Sequence, residues 1–233
     1  MGADVVALAL ALGKSALFVL ATILPILNPA ATAPMFLGLT EGASAGTRAL
    51  LARRIATNMF VLLTGSMLVG SYVLDFFGIS LAIVRVGGGL IVAATAWRLL
   101  GATAATLDGR SALAESFTPD QARRQAFYPL TFPISCGPGS IAASITVGAA
   151  LHDERALMSL ARMAGALTAL AAIGVAIYLA FRYAHKLLER LGEAGTVVLL
   201  RLSAFILLCL GVQIVWDGAA ELLRGVLVEA RAG

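Results

Sequence analysis

Long apolar runs alternate with short polar clusters along this chain, and that alternation predicts most of its architecture. The runs cover residues 5–27, 55–74, 79–100, 126–151, 157–181 and 197–216. Each reaches the roughly 20 residues that an α-helix needs to cross a bilayer. Between them lie a polar connection at 41–54 with Arg48, Arg53 and Arg54, and a tight turn at Asp75-Phe76-Phe77-Gly78. The longest polar stretch is 101–125, with Asp108, Arg110, Glu115, Pro119, Asp120, Arg123 and Arg124. A short turn, His152-Asp153-Glu154-Arg155, and a basic segment with Arg182, Lys186 and Arg190 complete the punctuation. The pattern predicts an all-α integral membrane protein with six spans. It is read as one transmembrane domain, 1–233, whose halves 1–100 and 126–220 are joined by the connection 101–125. In the tail, leucines and valine alternate with Glu221, Arg224 and Glu229, which predicts a helix lying amphipathically on the surface.

Two of the runs cannot be single straight helices. Pro25 falls in the first, with Pro29 and Pro34 in its apolar continuation, and Pro129, Pro133 and Pro138 fall in the fourth. Proline lacks the backbone donor and clashes with the carbonyl one turn back. Irregular backbone persists at membrane depth only where protein or a wet cavity surrounds it. Spans 1 and 4 are therefore expected to be broken, with the apolar continuation to Leu39 forming a half-helix or re-entrant piece. The halves also resemble each other. Pro25-Ile26-Leu27-Asn28-Pro29 compares with Pro133-Ile134-Ser135-Cys136-Gly137-Pro138, and Arg85 and Arg201 each precede a tryptophan, Trp97 or Trp216. Three spans per half give the halves opposite topology, a 3+3 inverted repeat, and paired broken segments in such repeats point to a transport site.

Composition agrees with a membrane protein. The 233 residues are 60% hydrophobic and 13% charged, with a mean hydropathy of +0.92, against about 45–50% and about 25% in soluble domains. The net charge of +4 is no nucleic-acid footprint, because most of the arginines sit in the connections. One face collects Arg48, Arg53, Arg54, Arg98, Arg110, Arg123, Arg124, Arg182, Lys186 and Arg190, and the other Lys14, Arg155, Arg162, Arg224 and Arg231. Cytoplasmic loops carry the excess of basic residues, so the first face is expected in the cytoplasm and both termini in the periplasm. Cys136 and Cys209 lie in apolar runs and imply no disulfide scaffold. The N-terminal run, interrupted by Lys14, is expected to stay as the first span rather than be cleaved.

Candidate binding residues cluster at the breaks. Asn28 and Pro29 are the candidates at the first break, where Asn28 is either an ordinary helix N-cap or a ligand for a zwitterion or coupling ion, and the two roles are compatible. A helix start left facing a cavity favours a carboxylate. At the second break, Pro133, Ser135, Cys136, Gly137, Gly139 and Ser140 offer close backbone approach and amide donors, against the plainer reading of a packing kink. Thr32 joins them as a cavity-lining hydroxyl. Thr22, Thr131 and Gln213 could do so too, although such side chains more often bond their own helix. Arg85 and Arg201 are charges inside apolar runs, either gating groups or side chains that snorkel to the headgroups. Gly88, within Gly87-Gly88-Gly89, suits close helix packing. His152 and His185 have no partnering spacing, so no metal site is expected. No nucleophile–base pair or phosphate loop points to an enzyme.

Four separated blocks carry a resemblance to a known family. They are Leu24-Pro25-Ile26-Leu27-Asn28-Pro29 with Phe36-Leu37-Gly38-Leu39, and Phe77-Gly78-Ile79-Ser80 with Arg85-Val86-Gly87-Gly88-Gly89-Leu90. The third runs from Pro129-Leu130 through Pro133 to Gly137-Pro138-Gly139-Ser140-Ile141-Ala142, and the fourth from Ser203 through Gly211-Val212-Gln213. In this order they resemble the MarC family of bacterial inner-membrane proteins, with Cys136 departing from the small residue expected there. The resemblance implies a six-span secondary transporter or exporter of small neutral amino acids, of glycine or alanine size. It implies an inner-membrane location, membrane lipid as surroundings, no cofactor beyond a coupling proton or sodium ion, and no nucleic-acid partner. Homo-oligomers are compatible with it. Two other functions compete: a thiol-redox carrier using Cys136, and an accessory subunit that docks other membrane proteins through the glycine face of span 3.

Overall fold

The computed structural model describes residues 2–40, 43–101, 125–153 and 155–232. The polar connection expected at 101–125 falls, apart from its two ends, outside the described residues, as do Glu41, Gly42 and Glu154. All regular structure among the described residues is helical. The helices are α1 (Gly2–Leu27), α2 (Pro29–Leu39), α3 (Ala45–Phe76), α4 (Leu81–Leu100), α5 (Ala126–Ser135), α6 (Pro138–Ala150), α7 (Ala156–Arg182) and α8 (Ala184–Ala232). Five are long and apolar enough to cross a membrane, and α5 with α6, bent by 73°, passes the same test as a pair, giving six if the pair is one broken span rather than a re-entrant loop. The chain is a helical membrane protein.

Helix boundaries follow local chemistry. Ser44 caps α3 by accepting from the Thr47 amide at 3.1 Å, and Ser80 caps α4 in the same way. Gly78 takes φ +66° in the turn between them, a conformation glycine adopts without steric cost. Gly192, at φ +65°, breaks α8 near its start, and the spanning part runs Ala194–Val228. This corrects the expectation for the tail. Rather than folding onto the surface, residues 217–232 continue the sixth span as one helix. Gly218 does not stop it, because its missing side chain lets α8 sit against α4: a Cβ there would come 2.7 Å from the Ala82 carbonyl.

In a bilayer, helices associate by close packing rather than by escape from water, so small residues set the contacts. α4 lies along α8, α1 along α7, and α3 packs on both α6 and α7. On the α4–α8 seam, a Cβ on Gly89 would lie 2.8 Å from the Gly211 carbonyl, and one on Gly211 would lie 2.6 Å from the Ala93 amide. Gly88 faces α6 instead, where a Cβ would meet that of Ala142 at 2.5 Å, while Gly87 meets nothing within 4 Å. Two-thirds of the glycine triplet is thus used inside the protein. The centre of the bundle is filled by Ile23, Leu51, Ile55, Met59, Leu63, Leu170 and Ile177, with the rings of Phe36 and Phe181 stacked at 4.6 Å.

Candidate functional site

One residue both ends α1 and begins α2. Asn28 adopts φ +46°, a left-handed conformation that asparagine tolerates better than most residues. Its amide closes the last turn of α1 on the Leu24 carbonyl at 3.1 Å. Its Oδ1 accepts from the Ala31 amide at 3.2 Å, and its carbonyl from the Thr32 hydroxyl at 3.0 Å. Pro29 then occupies the first helical position, where its missing donor is no loss. The N-cap reading therefore holds, yet it uses only half of the amide. Asn28 is 7% exposed, and its Nδ2 is buried without a hydrogen-bond partner.

The second break repeats this arrangement with different residues. α5 winds in wide turns, with the Thr131 and Ser135 hydroxyls reaching carbonyls five residues back at 2.6 and 2.7 Å. Gly137 then opens α6, and Pro138 takes the first helical position. The Ser140 amide and hydroxyl both donate to the Gly137 carbonyl, at 3.1 and 2.7 Å. The Ser140 amide is thus already engaged. The Gly139 amide is one of the first-turn donors with no acceptor inside its own helix.

Both starts open onto one cavity of about 660 Å³, within the roughly 300–1,000 Å³ usual for ligand pockets. Asn28, Ala31 and Thr32 line it from α2, and Pro133, Ser135, Gly137, Gly139 and Ser140 from the second break. Ile134, whose carbonyl Pro138 cannot satisfy, lines it as well. The third wall is α4 with Ile91, Val92, Thr95 and Arg98, and Leu207 of α8 closes a corner. The Thr32, Thr95, Ser135 and Ser140 hydroxyls donate their protons to backbone carbonyls. What they turn to a ligand is acceptor lone pairs. Arg98 is the one charged side chain lining the cavity among the described residues. Two positive helix ends and a guanidinium, with no carboxylate among the described lining residues, make the hollow electrically suited to an anionic group.

Seven of the nine expected binding residues therefore meet: Asn28, Thr32, Pro133, Ser135, Gly137, Gly139 and Ser140. Pro29 shapes the helix start without lining the cavity. Cys136 is fully buried behind it, with Ser140 Oγ 3.3 Å from its sulfur, while Cys209 is exposed; both thiols are free. Gly139 has a packing duty too, since a Cβ there would lie 2.4 Å from Val92 Cγ2. Thr22 bonds the Phe18 carbonyl, Thr131 accepts from Asn58 Nδ2, and Gln213 donates to Asp217. None of the three lines the cavity. Arg85 pairs with Glu221 across the α4–α8 seam, far along α4 from Arg98. Arg201 is exposed on α8. Arg98 and Thr95 escaped the sequence reading, in which Arg98 counted only toward topology. Their spacing from Ile91, four and seven residues, already placed all three on one helical stripe.

A cavity walled by two proline-headed helix starts occupies the blocks that carried the family resemblance, and comparison with known proteins agrees. The family described as MarC family integral membrane protein matches residues 14–223. The chain belongs to the MarC family. It is 28% identical to the inner membrane protein MarC of Escherichia coli K12 over 207 residues, covering 88% of this chain and 94% of that protein. The same figures hold for the inner membrane protein MarC of Escherichia coli O1:K1. No solved structure matches the chain.

Proposed function

We propose that this MarC-family protein is a secondary transporter of small neutral amino acids, of glycine or alanine size, bound between the two helix starts. The observation that carries the reading is the Asn28 Nδ2, a buried donor with no partner at the wall of a 660 Å³ cavity. An unsatisfied buried donor costs about 1–3 kcal/mol, so a ligand acceptor there is favoured. The substrate carboxylate would take Asn28 Nδ2 and the Gly139 amide, with Arg98 adding its charge. The ammonium would lie on the hydroxyl lone pairs and the Ile134 carbonyl.

The packing supports an inverted repeat beneath this site. α2 touches α8 and α7 as α6 touches α4 and α3; α1 lies on α7 as α5 lies on α3; and α3–α7 and α4–α8 pair across the halves. In this reading the protein sits in a bacterial inner membrane with its arginine-rich face in the cytoplasm and both termini in the periplasm. Among the described residues the lining holds no acidic side chain, which favours sodium on oxygen ligands or uncoupled efflux over proton coupling through a buried carboxylate. Transport also fits better than the alternatives. A redox carrier needs a resolving thiol, whereas Cys136 and Cys209 are both free, one buried and one exposed. A docking subunit needs the glycine face that α6 and α8 already cover.

The test is uptake of labelled glycine, alanine and serine into liposomes holding the purified protein, with and without proton or sodium gradients. Saturable uptake of at least one is expected. Absence of movement of all three under every gradient would refute the reading. Reporter fusions at the C-terminus test the orientation separately.

A further inference from the structure

Away from the central cavity, α3 and α7 leave a groove of about 380 Å³ on the outer surface of the bundle. Arg53, Ala56 and Phe60 line it from α3, and Ala171, Gly174 and Tyr178 from α7. Both sets follow an i, i+3, i+7 pattern, so each helix contributes one stripe two turns, or about 10 Å, long. A Cβ on Gly174 would lie 3.7 Å from the Ala56 carbonyl, which sets those two positions level. Spans 2 and 5 run in opposite directions, so Arg53 and Tyr178 meet at one end, and Phe60 and Ala171 at the other. The groove has a charged, hydroxylated mouth at the arginine-rich face and apolar walls leading away from it.

Further cations gather at that mouth. Arg182 donates to the Tyr178 hydroxyl, and its guanidinium stands 5.7 and 5.8 Å from the ring centres of Tyr178 and Tyr183. The Lys186 ammonium lies 5.9 Å from the Tyr183 ring centre. Among the described residues, no carboxylate pairs with Arg53, Arg182 or Lys186, and the neighbouring Glu189 is held by His185 at 3.2 Å. Val175, on the lip of the groove, is 56% exposed, so the apolar part opens sideways.

We propose that this groove binds one anionic phospholipid. The headgroup phosphate lies among Arg53, Arg182 and Lys186, and an acyl chain follows Ala56, Phe60 and Ala171 past Gly174. Basic pockets between membrane helices recognise acidic headgroups in this way, and arginine matches phosphate oxygens with paired donors. The apolar walls select a lipid over a soluble phosphate. Because neither Arg53 nor Gly174 lines the Asn28 cavity, the inference stands apart from the transport reading.

Native mass spectrometry of the full chain in detergent, titrated with phosphatidylglycerol, phosphatidylcholine or glycerol 3-phosphate, tests it. The wild type should retain one phosphatidylglycerol in preference to phosphatidylcholine. Removing two charges in Arg53→Gln/Arg182→Gln should weaken retention roughly 30-fold, about fivefold per basic side chain. Gly174→Leu keeps every charge and fills the groove, so it should expel the lipid while the melting temperature holds. Equal retention of the two lipids, retention that survives Gly174→Leu, or competition by glycerol 3-phosphate as strong as by lipid would each overturn the proposal.

Discussion

Replacing Asn28 by glycine separates its two jobs. At φ +46° an alanine would incur about 1–2 kcal/mol of steric cost and lose the cap, itself worth about 1 kcal/mol, so Asn28→Ala would mix folding with binding. Glycine accepts the backbone angle freely and replaces an asparagine cap at a cost of only a few tenths of a kcal/mol. It still removes the unpaired Nδ2. A hydrogen bond to a charged carboxylate is worth about 1.5–3 kcal/mol, which corresponds to a roughly 10- to 150-fold weaker half-saturation. The substrate effect thus exceeds the folding effect several-fold. Asn28→Asp sharpens the contrast, since it keeps the capping oxygen and suits a helix start but turns a negative charge toward the substrate carboxylate. The assay is concentration-dependent alanine or glycine uptake in liposomes, with melting temperature followed in parallel. The expected result is weak uptake by Asn28→Gly, weaker still by Asn28→Asp, with melting nearly unchanged in both. Wild-type half-saturation in Asn28→Gly would show that Nδ2 holds no substrate.

Three further outcomes follow from the packing and the thiol. Gly211→Ala drives a Cβ to 2.6 Å from a backbone amide and should destabilise the protein by about 1–3 kcal/mol, whereas Gly87→Ala, with open space around it, should leave the melting temperature unchanged or slightly raised. Gly139→Ala should lower both stability and uptake through its 2.4 Å approach to Val92 Cγ2; Val92→Ala in the same chain should restore stability, and no recovery in a thermal melt would show that the clash is not the cause. Cys136→Ala should keep uptake, because Ser140 Oγ retains its bond to the Gly137 carbonyl; complete loss of uptake would favour thiol chemistry.

Much of this fold was legible because a membrane restricts what backbone can do. Runs of about 20 apolar residues and proline-dense breaks mark spans and interruptions with little ambiguity. The break at Asn28-Pro29 and its partner at Gly137-Pro138 were readable from proline chemistry alone. The end of α8 was not, because glycine and charge in its tail resemble a stop signal, and only the contact of Gly218 with the Ala82 carbonyl explains why the helix continues. The partner of Arg85 was equally hidden, since Glu221 lies 136 residues away and local patterns carry no record of that pairing. Arg98 is legible only in part: a basic residue near a span end serves topology by default, and its place in a wall appears only once α4 faces both breaks.

Two helices, each headed by proline, aim like-signed ends at one space. Each end carries about half a positive charge, so drawing the two together around nothing is uphill, and a negative guest between them reverses the sign. In the transport reading proposed above, contraction of the hollow would be conditional on its being loaded, which would guard against an empty stroke and against leakage of solutes without an acid group. An amine of alanine's size that lacks the acid group should leave the site ajar. Continued labelling of a cysteine placed at Thr95 in its presence, with protection by alanine, would report that difference.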